Sequence, residues 1–186
     1  MSFDRQLEQA EKKISALAER AGDATSHALN RAAIEAKSRA VDEITKQVAL
    51  DKSYVRERLK ISKTKKDETG YYSQISAQNQ GVLLTRFPYA QTFGPRKSGV
   101  GQKATGIKGR IKTNREYQSN FFLMPLKNSN TMGIAKRTKA TGRDNYRVLH
   151  APSVAQVFNT VREDISPEVI ADIQKNLMRE LEKLYG

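Results

Sequence analysis

From Ala24 to about Leu50 the chain contains neither glycine nor proline and is rich in alanine. Apolar residues recur there at helical spacing, on or near one face: Leu29, Ala33, Ala36, Ala40, Ile44 and Val48. At a rise of 1.5 Å per residue, this segment predicts a helical rod about 40 Å long. Because alanine lets a second backbone approach closely, we expect this face to pack within the same chain. A helix of another subunit is the alternative partner.

Helical patterns also flank this rod. The apolar stripe from Phe3 to Ala21 predicts a first amphipathic helix that ends at Gly22. Asp23 is then placed to accept from the unpaired amides at the start of the rod, as an N-cap does. Asp51 is placed in the same way before a further short helix.

Two more helices are predicted at the C-terminal end. The first follows a structural turn at Pro152 and Ser153, and its apolar residues are Val154, Val157, Phe158 and Val161. Ser166 followed by Pro167 has the order of an N-cap and a first helical residue, which predicts a separate last helix. Its apolar stripe is Ile170, Ile173, Leu177, Leu181 and Leu184.

Between the helices, the apolar pattern changes to strand length and strand composition. We predict strands at 71–77, 81–87, 107–113, 121–126, 131–137 and 145–150, with a turn at 79–81 that joins the first two. Helices, then strands, then helices predict an α+β fold with a mainly antiparallel sheet. The corresponding regions are 1–62 (helical), 63–150 (β-rich) and 151–186 (helical), within a single structural domain overall.

Positive charge is concentrated in one part of the chain. Residues 80–150 hold 14 basic and 2 acidic residues, within a chain whose net charge is +13. Seven of the basic residues lie between Gly94 and Arg115, together with five glycines and no acidic residue: Arg96, Lys97, Lys103, Lys108, Arg110, Lys112 and Arg115. We interpret this segment as a flexible basic loop that follows a phosphate backbone without reading bases. A solvated surface loop is the alternative.

Catalytic and metal-binding patterns are lacking in the sequence. The chain has no cysteine, and its two histidines, His27 and His150, lie far apart and outside the usual metal-ligand spacings. The glycines match neither the P-loop pattern GxxxxGK[ST] nor the dinucleotide-binding pattern GxGxxG. We assign no catalytic residue, cofactor or metal. The acids Glu116 and Asp144 are expected to form local ion pairs with Arg115 and Arg143. No apolar run is long enough for a membrane span, so we expect a soluble protein that is made in the cytoplasm.

Three segments carry a resemblance to a known family: ALNRAAIEAKSRAVDEI in the rod, the break into strands after RLKISK, and YRVLHAPSVAQVFNTV before the last helix. With the basic, glycine-rich middle, this arrangement resembles the bacteriophage minor tail protein Z family, the tail completion proteins. The resemblance extends from about Ala24 to Leu184. It implies a structural virion protein and not an enzyme.

The resemblance further implies a place at the head-proximal end of a phage tail, with assembly in the host cytoplasm. It implies a ring, expected to be a hexamer, between the tail tube with its terminator protein and the head connector, with the tape measure protein as a further candidate partner. The basic loop would then face viral DNA in the lumen or an acidic neighbour, and about forty loop charges in a hexamer would act on the duplex together. A free nucleic-acid-binding protein without sequence specificity is the alternative function.

Overall fold

The computed structural model describes residues 3–96, 98, 101–127, 129–138 and 145–185. Helices begin and end the described chain, and short strands lie between them, so the predicted α+β class is confirmed. The α-helices are α1 Phe3–Gln47, α2 Lys52–Arg58 and α3 Val154–Tyr185. A 3₁₀ turn occupies Leu84–Arg86.

Most of the strands have two to six residues, and strands with an established register pair antiparallel. They are β1 Leu59–Ile61, β2 Lys65–Asp67, β3 Gly70–Tyr72, β4 Ile75–Ala77, β5 Val82–Leu83, β6 Tyr89–Pro95, β7 Gln102–Lys112, β8 Arg115–Ser119, β9 Phe122–Pro125, β10 Met132–Arg137, β11 Tyr146–Val148 and β12 His150–Ala151. The sheets have the strand orders β1-β4, β2-β3, β5-β12, β6-β7-β8 and β9-β10-β11.

The chain forms two compact units, each built from stretches that are distant in sequence. Unit 1 consists of Met1–Arg39, Lys60–Ser76 and Arg162–Gly186, and unit 2 of Ala40–Leu59 and Ala77–Val161. The backbone of α1 and that of α3 each contribute to both units. The regions that we derived from sequence, 1–62, 63–150 and 151–186, stay a prediction.

In unit 1, small side chains of α1 are buried by other parts of the same chain. Those with little exposure are Ala24, Ala28, Ala32, Ala33 and Ala36. Next to these alanines, ion pairs and a hydrogen bond join α1 to α3. Arg39 forms ion pairs with Glu168 and Asp172, and the Arg39–Asp172 distance is 2.8 Å. The buried amide of Asn176 donates to Glu35 at 3.1 Å. The alanine face therefore packs within its own chain, as the sequence predicts.

The predicted helix end at Gly22 is wrong, because α1 passes through Gly22 and Asp23 without a break. A Cβ at Gly22 would lie 2.3 Å from the hydroxyl oxygen of Tyr71. The glycine thus provides room for this side chain, and its cost of about 1 kcal/mol in a helix interior is tolerated.

This contact gives a test by double substitution. Gly22→Ala alone is expected to lower the free energy of unfolding, because the new methyl group displaces the Tyr71 hydroxyl. In a Tyr71→Phe background the same change is expected to be less destabilising, because only a 3.3 Å approach to the ring carbon Cζ remains and the helix-propensity gain of alanine over glycine, about 1 kcal/mol, opposes it. Urea unfolding followed by far-UV circular dichroism measures both. An equal effect of Gly22→Ala in the two backgrounds would contradict the contact.

The predicted hairpin between residues 71–77 and 81–87 is also wrong. The first segment divides into β3 and β4, and β4 pairs with β1. In the second segment only Val82–Leu83 is a strand, and it pairs with His150–Ala151. Gly81 packs closely there, since a Cβ at this position would lie 3.2 Å from the Cβ of His150. Pairing with distant segments therefore prevails over the local turn.

The C-terminal region is one helix, not the predicted two. Pro167 lies inside α3, and the Ser166 hydroxyl donates to the carbonyl of Arg162 at 2.8 Å where the sequence predicts an N-cap. The cap is instead Ser153, whose Oγ accepts from the Gln156 amide at 3.1 Å while the Gln156 side chain accepts from the Ser153 amide. These reciprocal bonds form a capping box. In the predicted stripe, Ile170 is 56% exposed.

In unit 2, buried aliphatic residues from both helices and strands form the core. Those that are almost fully covered include Val41, Ile44, Val55, Leu59, Val82, Ile107, Ile134 and Val154. The predicted cap Asp51 is confirmed, since its carboxylate accepts from the amides of Ser53 and Tyr54 at the start of α2. The end of α1 is bonded to the end of β7, because the Ala49 amide donates to the Ile111 carbonyl at 2.8 Å. These contacts fix β7 on the core of unit 2.

Candidate functional site

The basic segment predicted as a loop is a sheet for most of its described length. β7 is the middle strand of the three-stranded sheet β6-β7-β8. Arg96 follows β6, Lys103, Lys108, Arg110 and Lys112 lie on β7, and Arg115 begins β8. Lys97 lies outside the described residues. The interpretation as a flexible loop is therefore wrong for the five residues on β7 and β8, whereas Arg96 lies outside the strands, directly after β6.

Two glycines of β7 serve close packing and not flexibility. A Cβ at Gly106 would lie 2.4 Å from the carbonyl oxygen of Ser119, and one at Gly109 would lie 2.7 Å from the hydroxyl oxygen of Tyr117. Only Gly101, with φ of +79°, has the left-handed conformation typical of a turn glycine within this described segment. The glycine content that suggests mobility therefore reflects a closely packed sheet.

Lys108 and Arg110 project from the exposed face of β7, because the intervening Gly109 and the preceding Ile107 are buried. Glu116 on β8 lies between them: its carboxylate is 2.8 Å from Lys108 Nζ and 3.0 Å from the Arg110 guanidinium. The hydrogen bond from Lys108, followed by that from Arg110, lowers the pKa of Glu116. We call these three residues the paired face.

The predicted ion pair of Glu116 with Arg115 is wrong. Neighbouring residues of a strand point to opposite sides of the sheet, whereas Arg110 is directly opposite Glu116 in the register. The pair predicted for Asp144 and Arg143 lies outside the described residues.

Lys112 and Arg115 lie elsewhere on the sheet. The β7–β8 register shifts between Arg110 and Lys112, so Lys112 is opposite Arg115. Both residues line a cavity of about 560 Å³ whose wall also includes Leu84, Ile111, Tyr117, Phe121, Leu149, His150 and Pro152. Among the described residues, no carboxylate lies within 4.0 Å of either cation. We call this feature the basic cavity.

The two other described cations of the basic segment are Arg96 and Lys103, and we call this pair the hairpin tip. The Arg96 amide and its Nε donate to the carbonyls of Gly101 and Gln102, each at 3.2 Å. Both side chains are exposed, and no described carboxylate lies within 4.0 Å of them. The Arg96 side chain is thus oriented by a hydrogen bond, and no described carboxylate neutralises either cation of the hairpin tip.

An exposed aromatic residue accompanies the hairpin tip. Phe93 is 58% exposed on β6 and is opposite Ala104 in the register. Phe93 immediately precedes the basic segment from Gly94 to Arg115, which itself contains no aromatic residue. Tyr89, Thr92 and Phe93 are of residue types enriched in strands, and this composition is the signal that indicates a strand here.

The turn residues and the two histidines that the sequence draws attention to lie at separate places in the structure. Ser153 caps α3 and donates to Asn79 at 3.0 Å, and Pro152 and His150 line the basic cavity. His27 is an exposed residue of α1. Within the described ranges, no group of three or more potential ligands is arranged to hold a metal ion. None of the described helices has the length and apolar character needed to cross a membrane.

Comparison with protein families finds one that covers nearly the whole chain: the family model for prophage minor tail protein Z matches residues 5–185. The chain belongs to the prophage minor tail protein Z family. Comparisons with curated proteins and with solved structures gave no match. Family membership confirms the resemblance carried by the helix and turn segments, and it supports a structural role in a phage tail.

Proposed function

We propose that this minor tail protein Z family member completes the head-proximal end of a phage tail as a ring between the tail tube with its terminator and the head connector. In this ring the hairpin tip contacts the end of the viral DNA. One observation carries the DNA contact: Arg96 and Lys103 are exposed together, and no described carboxylate neutralises them. The family membership of the chain supports the place in a tail.

The contact is expected to be electrostatic and independent of sequence. Arginine and lysine gain affinity for a duplex by releasing counterions from its phosphates, and that gain falls steeply with salt. A ring repeats the hairpin tip once in each subunit, so a modest local charge acts several times on one duplex. Exposed Phe93 beside the tip offers an apolar surface but no hydrogen bonds that would distinguish bases.

The test replaces both tip cations, Arg96→Gln with Lys103→Gln. For the purified protein, the slope of log affinity for duplex DNA against log salt is expected to become shallower by about 2, since each phosphate contact contributes about 0.9. Tails that carry the variant are expected to assemble but to yield fewer infectious particles, as measured by electron microscopy and plaque counts.

The matched control is Lys63→Gln with Lys65→Gln, which removes the same charge from exposed positions in unit 1. This variant is expected to keep the wild-type salt slope and infectivity. Equal losses in the two variants would mean that net charge alone matters, and an unchanged tip variant would mean that the tip does not meet DNA. Either result contradicts the proposed contact.

Ring formation has a separate test. Sedimentation of the protein alone and with isolated tail tubes is expected to show an oligomer or attachment to the tube end. A monomer that binds duplex DNA tightly and does not bind tail tubes would instead indicate that the protein acts as a free nucleic-acid-binding protein.

A further inference from the structure

The basic cavity lies in unit 2 and differs from the hairpin tip in its chemistry. Its volume of about 560 Å³ lies within the usual range of ligand sites, about 300–1,000 Å³. Half-buried apolar side chains line it, including Ile111, Tyr117, Phe121 and Leu149. The rings of Tyr117 and Phe121 lie 6.1 Å apart in a tilted arrangement. The cavity therefore presents apolar surface that an apolar group of similar size would cover.

Two cations accompany this apolar wall. The register shift after Arg110 brings Lys112 opposite Arg115, and both line the cavity. Both are exposed and, unlike the cations of the paired face, lie beyond 4.0 Å from every described carboxylate. Apolar surface next to uncompensated positive charge is complementary to a ligand that combines an apolar group with an anion.

The wall favours a protein segment over duplex nucleic acid. A duplex offers phosphates on a polar backbone, which gain from cations but not from a pocket of leucine, isoleucine and aromatic side chains. An apolar side chain next to Asp or Glu uses both parts of the cavity. Burial of the large apolar side chain makes the larger contribution to binding, and each exposed ion pair makes a smaller one.

We propose that the basic cavity binds a segment of a partner protein in which a large apolar residue stands next to an aspartate or glutamate. The apolar side chain lies against Phe121 and Leu149, and the carboxylate meets Lys112 and Arg115. This site holds whether or not the hairpin tip contacts DNA, since the two use different residues.

The first experiment uses the purified full chain and the dye anilinonaphthalene sulfonate, which joins an aromatic group to an anion. The competitors are two peptides, acetyl-Phe-Asp-Phe-amide and acetyl-Phe-Asn-Phe-amide. The aspartate peptide is expected to displace the dye at about fivefold lower concentration, the effect of exposed ion pairs with two cations. In Lys112→Gln with Arg115→Gln, this ratio is expected to fall below about twofold.

The matched control is Lys108→Gln with Arg110→Gln, which removes the same charge from the paired face and is expected to keep the fivefold ratio. Far-UV circular dichroism checks that each variant is folded, and the single variants Lys112→Gln and Arg115→Gln replace the double variant if it is not. Equal potency of the two peptides on wild type, or an equal loss of selectivity in both double variants, would overturn the proposal. So would displacement of the dye by a 20-base-pair duplex but by neither peptide.

Discussion

Gly106→Ala is expected to lower the free energy of unfolding by about 3 kcal/mol or more, the range of severe overpacking. The new Cβ would lie 2.4 Å from the carbonyl oxygen of Ser119 and 3.1 Å from its carbonyl carbon. Both atoms belong to the backbone, so no side-chain rotation relieves the contact. Relief requires β8 to move away from β7, next to the pair formed by Ile107 and Ser119.

The control for this substitution is Gly101→Ala. Gly101 has φ of +79° and open space where a Cβ would lie, so its replacement is expected to cost about 1 kcal/mol through backbone strain alone. Urea unfolding followed by far-UV circular dichroism suits a chain that has no tryptophan. Equal costs at the two positions would mean that Gly106 is not held against Ser119.

Ile107→Ala is expected to cost about 2–5 kcal/mol, the range for truncating a buried isoleucine. Ile107 has 0% exposure and lies between Gly106 and Lys108 on β7. The cavity left by the lost atoms would loosen the strand that carries Lys108 and Arg110. The measurement is again urea unfolding.

Two controls bracket this result. Ile107→Val is expected to cost only about 0.5–1.5 kcal/mol, because it removes a single methylene. Ile34→Ala makes the same change at a residue that is 64% exposed and is expected to lie within about 0.5 kcal/mol of wild type. A cost for Ile107→Ala as small as that for Ile34→Ala would show that β7 does not rest on the core.

Features of this protein that depend on local spacing were predictable from its sequence. The alanine face of α1, the cap at Asp51 and the order of helices and strands follow from periodicity and from side chains that reach their own neighbours. The family also follows from local segments, and the family match over residues 5–185 confirms it. The sum of charge between residues 80 and 150 is likewise a property of the sequence alone.

The misread positions share a different cause, which is contact between residues far apart in the chain. Gly22 resembles a helix end but makes room for Tyr71, and Gly81 resembles a hairpin turn but packs on His150. Ser166 and Pro167 have the order of a helix start, yet α3 passes through them, and Glu168 and Asp172 just beyond them form ion pairs with Arg39. Local preferences, about 1 kcal/mol for glycine and about 3 kcal/mol for proline in a helix interior, yield to tertiary packing.

The candidate site shows the same division. The sequence shows that the site residues are basic, but which of them lie together depends on the sheet. Register places Glu116 between Lys108 and Arg110, and the register shift after Arg110 leaves Lys112 and Arg115 at an apolar cavity. Which charges are neutralised and which stay available depends on strand pairing, because pairing sets the distance between side chains that the sequence keeps apart.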